Sequence, residues 1–194
     1  MTHHRESSPS SRLRHWASRL ALLVACASVV ATSQAISDDV FSDPYSGAPA
    51  TLTTEAPKTR IPLVVLATAS KSPDKIVEAE LTVLVTATWR PADPSQTEGP
   101  WLRAVLVEGE TEFSGPEAGI LLLAGAPVTT EVQTYLSREC RLGSTCEWTA
   151  NLDLELPPGA PAGKVELVWT ATAQAHVVDT SSTPKGFKVI VSEP

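Results

Sequence analysis

The side chains with catalytic potential lie near the C-terminus. His176 is followed by Asp179, Ser181 and Ser182, and imidazole, carboxylate and hydroxyl groups are the components of a serine hydrolase. Nothing in the sequence orients a base against a nucleophile, and the Gly-x-Ser-x-Gly motif that presents the serine in many hydrolases is absent. Because His176 falls on the polar side of an alternating stretch, we interpret it as a solvated imidazole and predict that the protein is not an enzyme.

Two cysteines near the middle of the chain admit two chemistries. Cys140 and Cys146 are six positions apart, with no second cysteine pair and no nearby histidine. A closed structural zinc site takes four ligands, so two thiols are a poor zinc site. We therefore predict a disulfide that pins a hairpin between strands 128–140 and 146–156, and we predict no metal or cofactor.

Exposed aromatic rings are a second candidate feature, because flat rings often bind sugars. Trp101 follows Gly99-Pro100 at a loop edge, and Tyr135 lies on the polar side of its strand. These two residues are the candidate ligand platform, while the alternative is that Trp101 caps the core and Tyr135 is ordinary strand surface. Three further tryptophans have the apolar parity of their strands and are predicted to be core: Trp89, Trp148 and Trp169.

Two apolar runs break the alternation of their strands and suggest a surface for a partner. The run 120–123 places Leu122 on the face opposite Leu121 and Leu123, and the run 62–66 does the same around Leu63. In a two-layer sheet protein one of those faces should meet water. Either a loop or a linker covers it, or Leu122 and Leu63 contact another chain.

The first 35 residues indicate where the protein works. Four arginines precede the uncharged apolar run 20–31, and Ser33-Gln34-Ala35 ends it with a small-x-small pattern. That order is typical of a secretory signal peptide, and the run is too short to span a bilayer. We predict cleavage after Ala35 and an exported protein, which is periplasmic, outer-surface or secreted.

A second interpretation of the same segment is a lipid anchor. The stretch Leu23-Val24-Ala25-Cys26 resembles the lipobox at which bacterial lipoproteins are cut and lipidated. This resemblance implies a lipid on Cys26 and attachment to a membrane. The apolar run before Cys26 is then only 20–25, whereas cleavage after Ala35 leaves a run of ordinary length.

Charge narrows the class of partner. The leader holds four of the fifteen Lys and Arg and one of the twenty-two Asp and Glu, so residues 36–194 carry a net charge of −10. Such a surface repels nucleic acid and anionic lipid. We therefore expect an envelope protein or glycan as partner, no nucleic acid, and a membrane only through Cys26.

The composition and the spacing of apolar residues change after residue 35. Residues 36–60 are rich in Pro, Ser, Thr, Ala and Asp without periodicity, which predicts a flexible linker. From residue 61 onward apolar residues recur every second position, most clearly in 77–89, 148–156 and 165–175. Shorter candidate strands are 61–69, 102–108, 119–124, 128–140 and 186–192.

One stretch resembles a known class of domain. Residues 154–172, with the turn Pro157-Pro158-Gly159 leading into a long alternating strand, resemble the late strand-turn-strand unit of bacterial immunoglobulin-like domains. The expected fold is therefore an all-β, two-layer antiparallel immunoglobulin-like sandwich of seven or eight strands over 61–194. We expect a non-enzymatic interaction or structural module, with a carbohydrate-binding or glycan-processing accessory domain as the alternative.

Overall fold

A computed structural model describes residues 35–71, 73–109, 118–143 and 145–194, together with Arg19, and gives no side-chain placement for residues 137 and 138. Ile36–Pro194 forms one compact unit. Apart from Arg19 and Ala35, the predicted signal peptide lies outside the described residues, and so does the lipidation candidate Cys26. Within the described ranges, no helix is long and apolar enough to cross a membrane.

The compact unit Ile36–Pro194 is built from strands. In chain order the described strands are β1 (Val40–Phe41), β2 (Tyr45–Ser46), β3 (Ala50–Thr53), β4 (Lys58–Thr68), β5 (Lys75–Pro91), β6 (Glu98–Glu108), β7 (Ala118–Leu123), β8 (Pro127–Leu142), β9 (Thr145–Glu155), β10 (Gly163–Val177) and β11 (Lys188–Ser192).

These strands form two antiparallel sheets. The first sheet has the order β8-β5-β10, and β1, β2 and β3 pair in turn along the free edge of β10. The second sheet has the order β11-β4-β9-β6-β7. The expectation of an all-β fold with two antiparallel sheets is confirmed.

These strands form because apolar and polar residues alternate along the sequence. Successive side chains of a strand point to opposite faces, so every second residue of β5, β9 and β10 enters the space between the sheets. All eight predicted strands are present, usually extended by one to four residues. Trp89, Trp148 and Trp169 are buried in the core, as predicted.

The predicted flexible linker is wrong for most of its length. Residues 36–53, called here the N-terminal strap, include β1, β2 and β3 and lie along β10. Leu52 of the strap is fully buried. The strap has no period because its strands are two to four residues long and its contacts are with distant residues.

Two serines bind the strap to β10 in the same way. The backbone N–H of Ser37 donates to the carbonyl of Val177, and the N–H of Val177 donates back to the Ser37 hydroxyl at 2.9 Å. Ser42 exchanges the equivalent two hydrogen bonds with Ala173. Both serines are buried, so each hydroxyl satisfies an amide that would otherwise lack an acceptor.

The strap also closes one side of the space between the sheets. The indole N–H of Trp169 donates to the carbonyl of Ala48 at 3.2 Å, and the ring centroids of Tyr45 and Trp169 are 5.9 Å apart. The hydroxyl of Tyr45 lies 3.4 Å from Glu193, just after β11. The strap therefore joins the edge of the first sheet to that of the second.

Candidate functional site

The predicted disulfide between Cys140 and Cys146 is present, with an S–S distance of 2.06 Å. Its setting differs from the prediction, because it does not join two hydrogen-bonded strands of one hairpin. Cys140 lies on β8 opposite Val77 of the first sheet, whereas Cys146 lies on β9 opposite Ala67 of the second sheet. The disulfide therefore links the two sheets at one end of the fold. Because both sulfur atoms take part in this bond, neither is a free thiol.

His176 lies on the outer face of the first sheet and is held between two carboxylates. Its Nδ1 is 2.9 Å from Asp39 of the strap, and its Nε2 is 3.3 Å from Glu78 of β5. Both ring nitrogens therefore face carboxylate oxygens rather than Ser181 or Ser182, and the geometry of a serine hydrolase is not assembled. The imidazole is 23% exposed, so it lies on the polar face of its strand, as predicted, but both ring nitrogens are close to carboxylates.

A shallow cavity of about 250 Å³ surrounds His176. The side chain of Gln174 donates to Glu80 at 3.0 Å along one wall. The remaining lining is Asp39, Glu78, Ala79, Tyr135 and His176. The acidic side chains are thus tied up by hydrogen bonds within the fold, and among the described residues no group of side chains is placed to hold a metal ion.

The two candidate rings are not brought together. Trp101 points outward from β6 in the second sheet, and Tyr135 points outward from β8 in the first sheet. Because the sheets pack face to face, outward side chains of one sheet point away from those of the other. Trp101 and Tyr135 thus cannot form one ligand platform, and their exposure agrees with the parity of their strands.

The two predicted apolar contact residues are buried. Leu63 of β4 and Leu122 of β7 are both fully buried between the sheets, so the proposal that either one presents an apolar face to a partner was wrong. The run 120–123 does lie in a strand, but its sequence did not show which of its side chains face the core. In β7 it is Leu121 and Leu123 that point outward.

An exposed apolar patch results on the outer face of β6 and β7, and we call it the β6–β7 patch. Its members are Trp101, Leu121 and Leu123, which are 55%, 44% and 49% exposed. Trp101 is the register partner of Leu121. Its indole lies next to Gly119, where an added Cβ would be 3.7 Å from the ring.

Three features around the patch bear on binding. The second sheet ends at β7 in the described part of the chain, so this strand has a neighbour on one side. Leu123 is the register partner of Glu98, and Gly119 that of Arg103, which places charges at both ends of the patch. Arg103 is itself paired with Glu155 at 3.5 Å. An apolar centre with a polar rim is the ordinary composition of a protein-binding surface.

A second group of charges lies at the far end of the first sheet. Glu166 of β10 accepts from Lys164 at 2.7 Å and from Arg90 of β5 at 3.3 Å. The hydrogen bond from Lys164, followed by that from Arg90, lowers the pKa of the Glu166 carboxyl below its ordinary value. This cluster is exposed, so water and salt screen its contribution to stability.

Comparison with known proteins gives no family. No protein-family model and no curated protein matches the chain. A structure of infectious bursal disease virus, Gx strain, aligns at 9% identity and a TM-score of 0.27, over 82% of this chain and 39% of that chain. A cryo-EM structure of broad bean stain virus aligns at 8% identity and a TM-score of 0.29, over 81% and 87% of the two chains. At these TM-scores the similarity carries no functional information.

Proposed function

We propose that this protein is an exported, non-enzymatic interaction or structural module of the cell envelope or the secreted fraction, and that it binds a partner protein through the β6–β7 patch. The observation that carries the proposal is the exposure of Trp101, Leu121 and Leu123 side by side. Exposed apolar side chains that cluster on one surface are the ordinary mark of a protein contact.

The position of the patch supports a partner that lies along the sheet. Because β7 pairs with β6 and is the last strand of the described sheet, an extended segment of the partner can add beside it and pair with its backbone. The outward side chains of that segment would then cover Leu121 and Leu123. Charges that would oppose such pairing are absent from the six residues of β7.

Crosslinking in intact cells tests this function. The full chain, expressed with its own leader, is treated with a short-range crosslinker, and we expect an adduct whose mass is not a multiple of the protein's own. Leu121→Glu should remove that adduct, because it places a charge in the apolar contact. The matched control is Ile190→Glu, which puts a charge on an equally exposed apolar residue of β11. An adduct that both variants retain, in folded protein, would contradict the proposal.

A glycan is the second candidate partner, and the geometry of Trp101 is the observation that favours it. The indole lies beside Gly119 and is 55% exposed, and an exposed flat ring can stack on a sugar. The described tryptophans other than Trp101 are buried, so ligand-induced changes in fluorescence should report on Trp101. Soluble oligosaccharides of the native envelope should quench it, and Trp101→Ala should abolish the response. A response unchanged by Trp101→Ala would exclude this site.

The finer description of the fold is also a proposal: the sandwich is immunoglobulin-like. Supporting it, β5 pairs with β8 in one sheet and β6 with β9 in the other, as strands B with E and C with F do in immunoglobulin domains. The flanking strands depart from that pattern. Here β4 pairs with β9 and β10 with β5, so the first and last long strands have exchanged sheets.

Export is supported by the disulfide, since such bonds persist in oxidising compartments.

A lipid anchor at Cys26 is the alternative form of the exported protein. Because the strap beginning at Ile36 is part of the folded domain, only the nine residues 27–35 would connect the lipid on Cys26 to the domain. Fully extended they span about 30 Å, so the domain would be held close to the membrane.

A further inference from the structure

Two aromatic rings are the most exposed large hydrophobic side chains in the described part of the chain. Phe41 of the strap is 66% exposed and Tyr135 of β8 is 73% exposed. Across the first sheet, Phe41 is the register partner of Gln174. Gln174 is in turn the partner of Glu80, and Glu80 that of Tyr135. Direct partners on neighbouring strands point to the same face, so these four side chains form one line on the outer face, called here the Phe41–Tyr135 row.

The pairing of β5 with β8 is interrupted beside this row. The register shifts between Val77 and Ala79 of β5, where the three residues 137–139 of β8 stand beside one residue of β5. A β-bulge of this kind bends its strand, and bulges often adjoin functional sites. The cavity of about 250 Å³ around His176 lies at this bulge, and every member of the row except Phe41 lines it.

The polar side chains between the two rings can bind hydroxyl groups. Gln174 donates one hydrogen bond to Glu80 at 3.0 Å, which holds both side chains in place. A side-chain amide has two N–H donors and a carbonyl, and a carboxylate has about four acceptor positions. Both groups therefore keep capacity for a ligand. A hydroxyl both donates and accepts, so it suits a surface that offers an amide beside a carboxylate.

The charges around the row favour an uncharged ligand. Three carboxylates line the cavity and would repel an anion, namely those of Asp39, Glu78 and Glu80. On β8, Arg141 is exposed on one side of the row and Glu131 on the other. Charges of both signs therefore border the row, and neither a cation nor an anion meets a surface of uniformly opposite charge.

A polar row with an exposed ring at each end has the composition of a sugar-binding surface. We propose that the Phe41–Tyr135 row binds an uncharged, linear oligosaccharide, with one sugar stacked on each ring and the hydroxyl groups between them hydrogen-bonded to Gln174 and Glu80. Three strand spacings of about 4.8 Å separate the two rings, or roughly 14 Å, which is longer than a single sugar. The ligand must therefore be a chain of several sugars.

A protein surface fits the row less well than a sugar chain. Apolar groups laid over Glu80 and its neighbours would bury carboxylates without supplying donors, which is costly. The hydroxyl groups of a sugar supply those donors. The row belongs to the first sheet and the β6–β7 patch to the second, so this site does not depend on the partner proposed above.

A glycan array followed by calorimetry tests the site. The full chain, expressed with its own leader and purified from the exported fraction, is screened on an array of natural glycans, and we expect binding to neutral linear chains. Titration calorimetry with the tetrasaccharide of the strongest of these then gives the dissociation constant. The corresponding monosaccharide should bind at least about tenfold more weakly, because it reaches only one of the two rings.

Substitution of each ring separates this site from the rest of the surface. Phe41→Ala and Tyr135→Ala should each raise the dissociation constant of the tetrasaccharide by about tenfold, since each removes one stacking surface. Tyr135→Phe keeps the ring and should stay within about threefold of the wild type. The matched control is Ile190→Ala, which removes an exposed apolar side chain from the second sheet and should leave the affinity unchanged.

Three results would overturn the proposal. The first is an array on which no glycan binds. The second is a folded Phe41→Ala or Tyr135→Ala variant with the wild-type affinity, because the site requires both rings. The third is loss of binding in Trp101→Ala while both row variants bind normally, which would assign the glycan to Trp101 on the second sheet.

Discussion

Gly47 of the strap lies against the indole ring of Trp169 so closely that a Cβ atom on residue 47 would overlap the ring. The ring is buried and donates to the carbonyl of the next residue, Ala48. The strap therefore passes over the core at a point where only glycine fits.

Replacing Gly47 by alanine should lower the free energy of unfolding by about 2 kcal/mol, because the strap or the ring must shift in a packed core. Gly143→Ala is the control, since no atom lies within 4 Å of a Cβ built there. Chemical denaturation measures both variants. Equal stabilities would mean that the strap does not pack tightly on Trp169. Hydrogen exchange of the Val177 and Ala173 amides, which bond to the strap serines, gives a local readout.

The sequence predicted the long strands and missed the strap for one physical reason. Residues 77–89 and 165–175 have one buried face each, so their period is visible locally. The strap is held by Ser37, Ser42 and Leu52, whose partners lie more than one hundred residues away along the chain. No local pattern encodes such contacts, and its composition is that of a linker.

The same limit explains the two errors in the site. In a run such as 120–123 every residue is apolar, so the sequence does not show which side chains point inward. Leu122 is buried because its face of the strand packs against the other sheet. Cys140 and Cys146 are separated by five residues, which suits a hairpin as well as a crossing between sheets. The sequence therefore located the disulfide and the apolar run but not what each one contacts.

Because Leu122 of β7 is buried and Leu121 is exposed, the two side chains should contribute differently to stability. Leu122→Ala should lower the free energy of unfolding by about 3 kcal/mol, because it leaves a cavity in the core. Leu121→Ala should cost less than about 1 kcal/mol, since its side chain is already in contact with water. Urea denaturation of the two variants decides the point. A larger loss for Leu121 than for Leu122 would mean that the faces of β7 are assigned the wrong way round.

Loss of the disulfide should destabilise the fold without abolishing it. The loop that Cys140 and Cys146 close is short, and the chain-entropy model gives about 2 kcal/mol for it. The double variant Cys140→Ala, Cys146→Ala is preferred to serine because Cys146 is buried and a hydroxyl there would need a partner. Thermal melts and a free-thiol assay of the unreduced, unfolded wild type measure the effect. Two free thiols in the exported protein would rule out the bond.

Glu166 should titrate below an ordinary glutamate, because Lys164 and Arg90 lower its pKa in the folded state. With the folded pKa below the unfolded value, its contribution to stability is present above the unfolded pKa of about 4.3 and is lost as pH falls through the folded pKa. Lys164→Met should raise the pKa of Glu166 toward the ordinary value, whereas Lys188→Met should leave it unchanged. Carboxyl NMR titration resolves this, and the same pKa in wild type and Lys164→Met would contradict the assignment.

The N-terminus of the mature protein distinguishes the two exported forms. Cleavage after Ala35 leaves Ile36 first, and Ile36 already forms a bridge with Val178 while the next amide, that of Ser37, donates to Val177. The mature chain would then begin at the first paired residue of the strap, with no free tail. Intact-mass analysis of the exported protein should give a chain that starts at Ile36. A chain that starts at Cys26 and carries a diacylglycerol would instead establish the lipid anchor, and Cys26→Ser should then abolish that processing. Under cleavage after Ala35, Cys26→Ser should leave the mature mass unchanged, because residue 26 is removed with the leader.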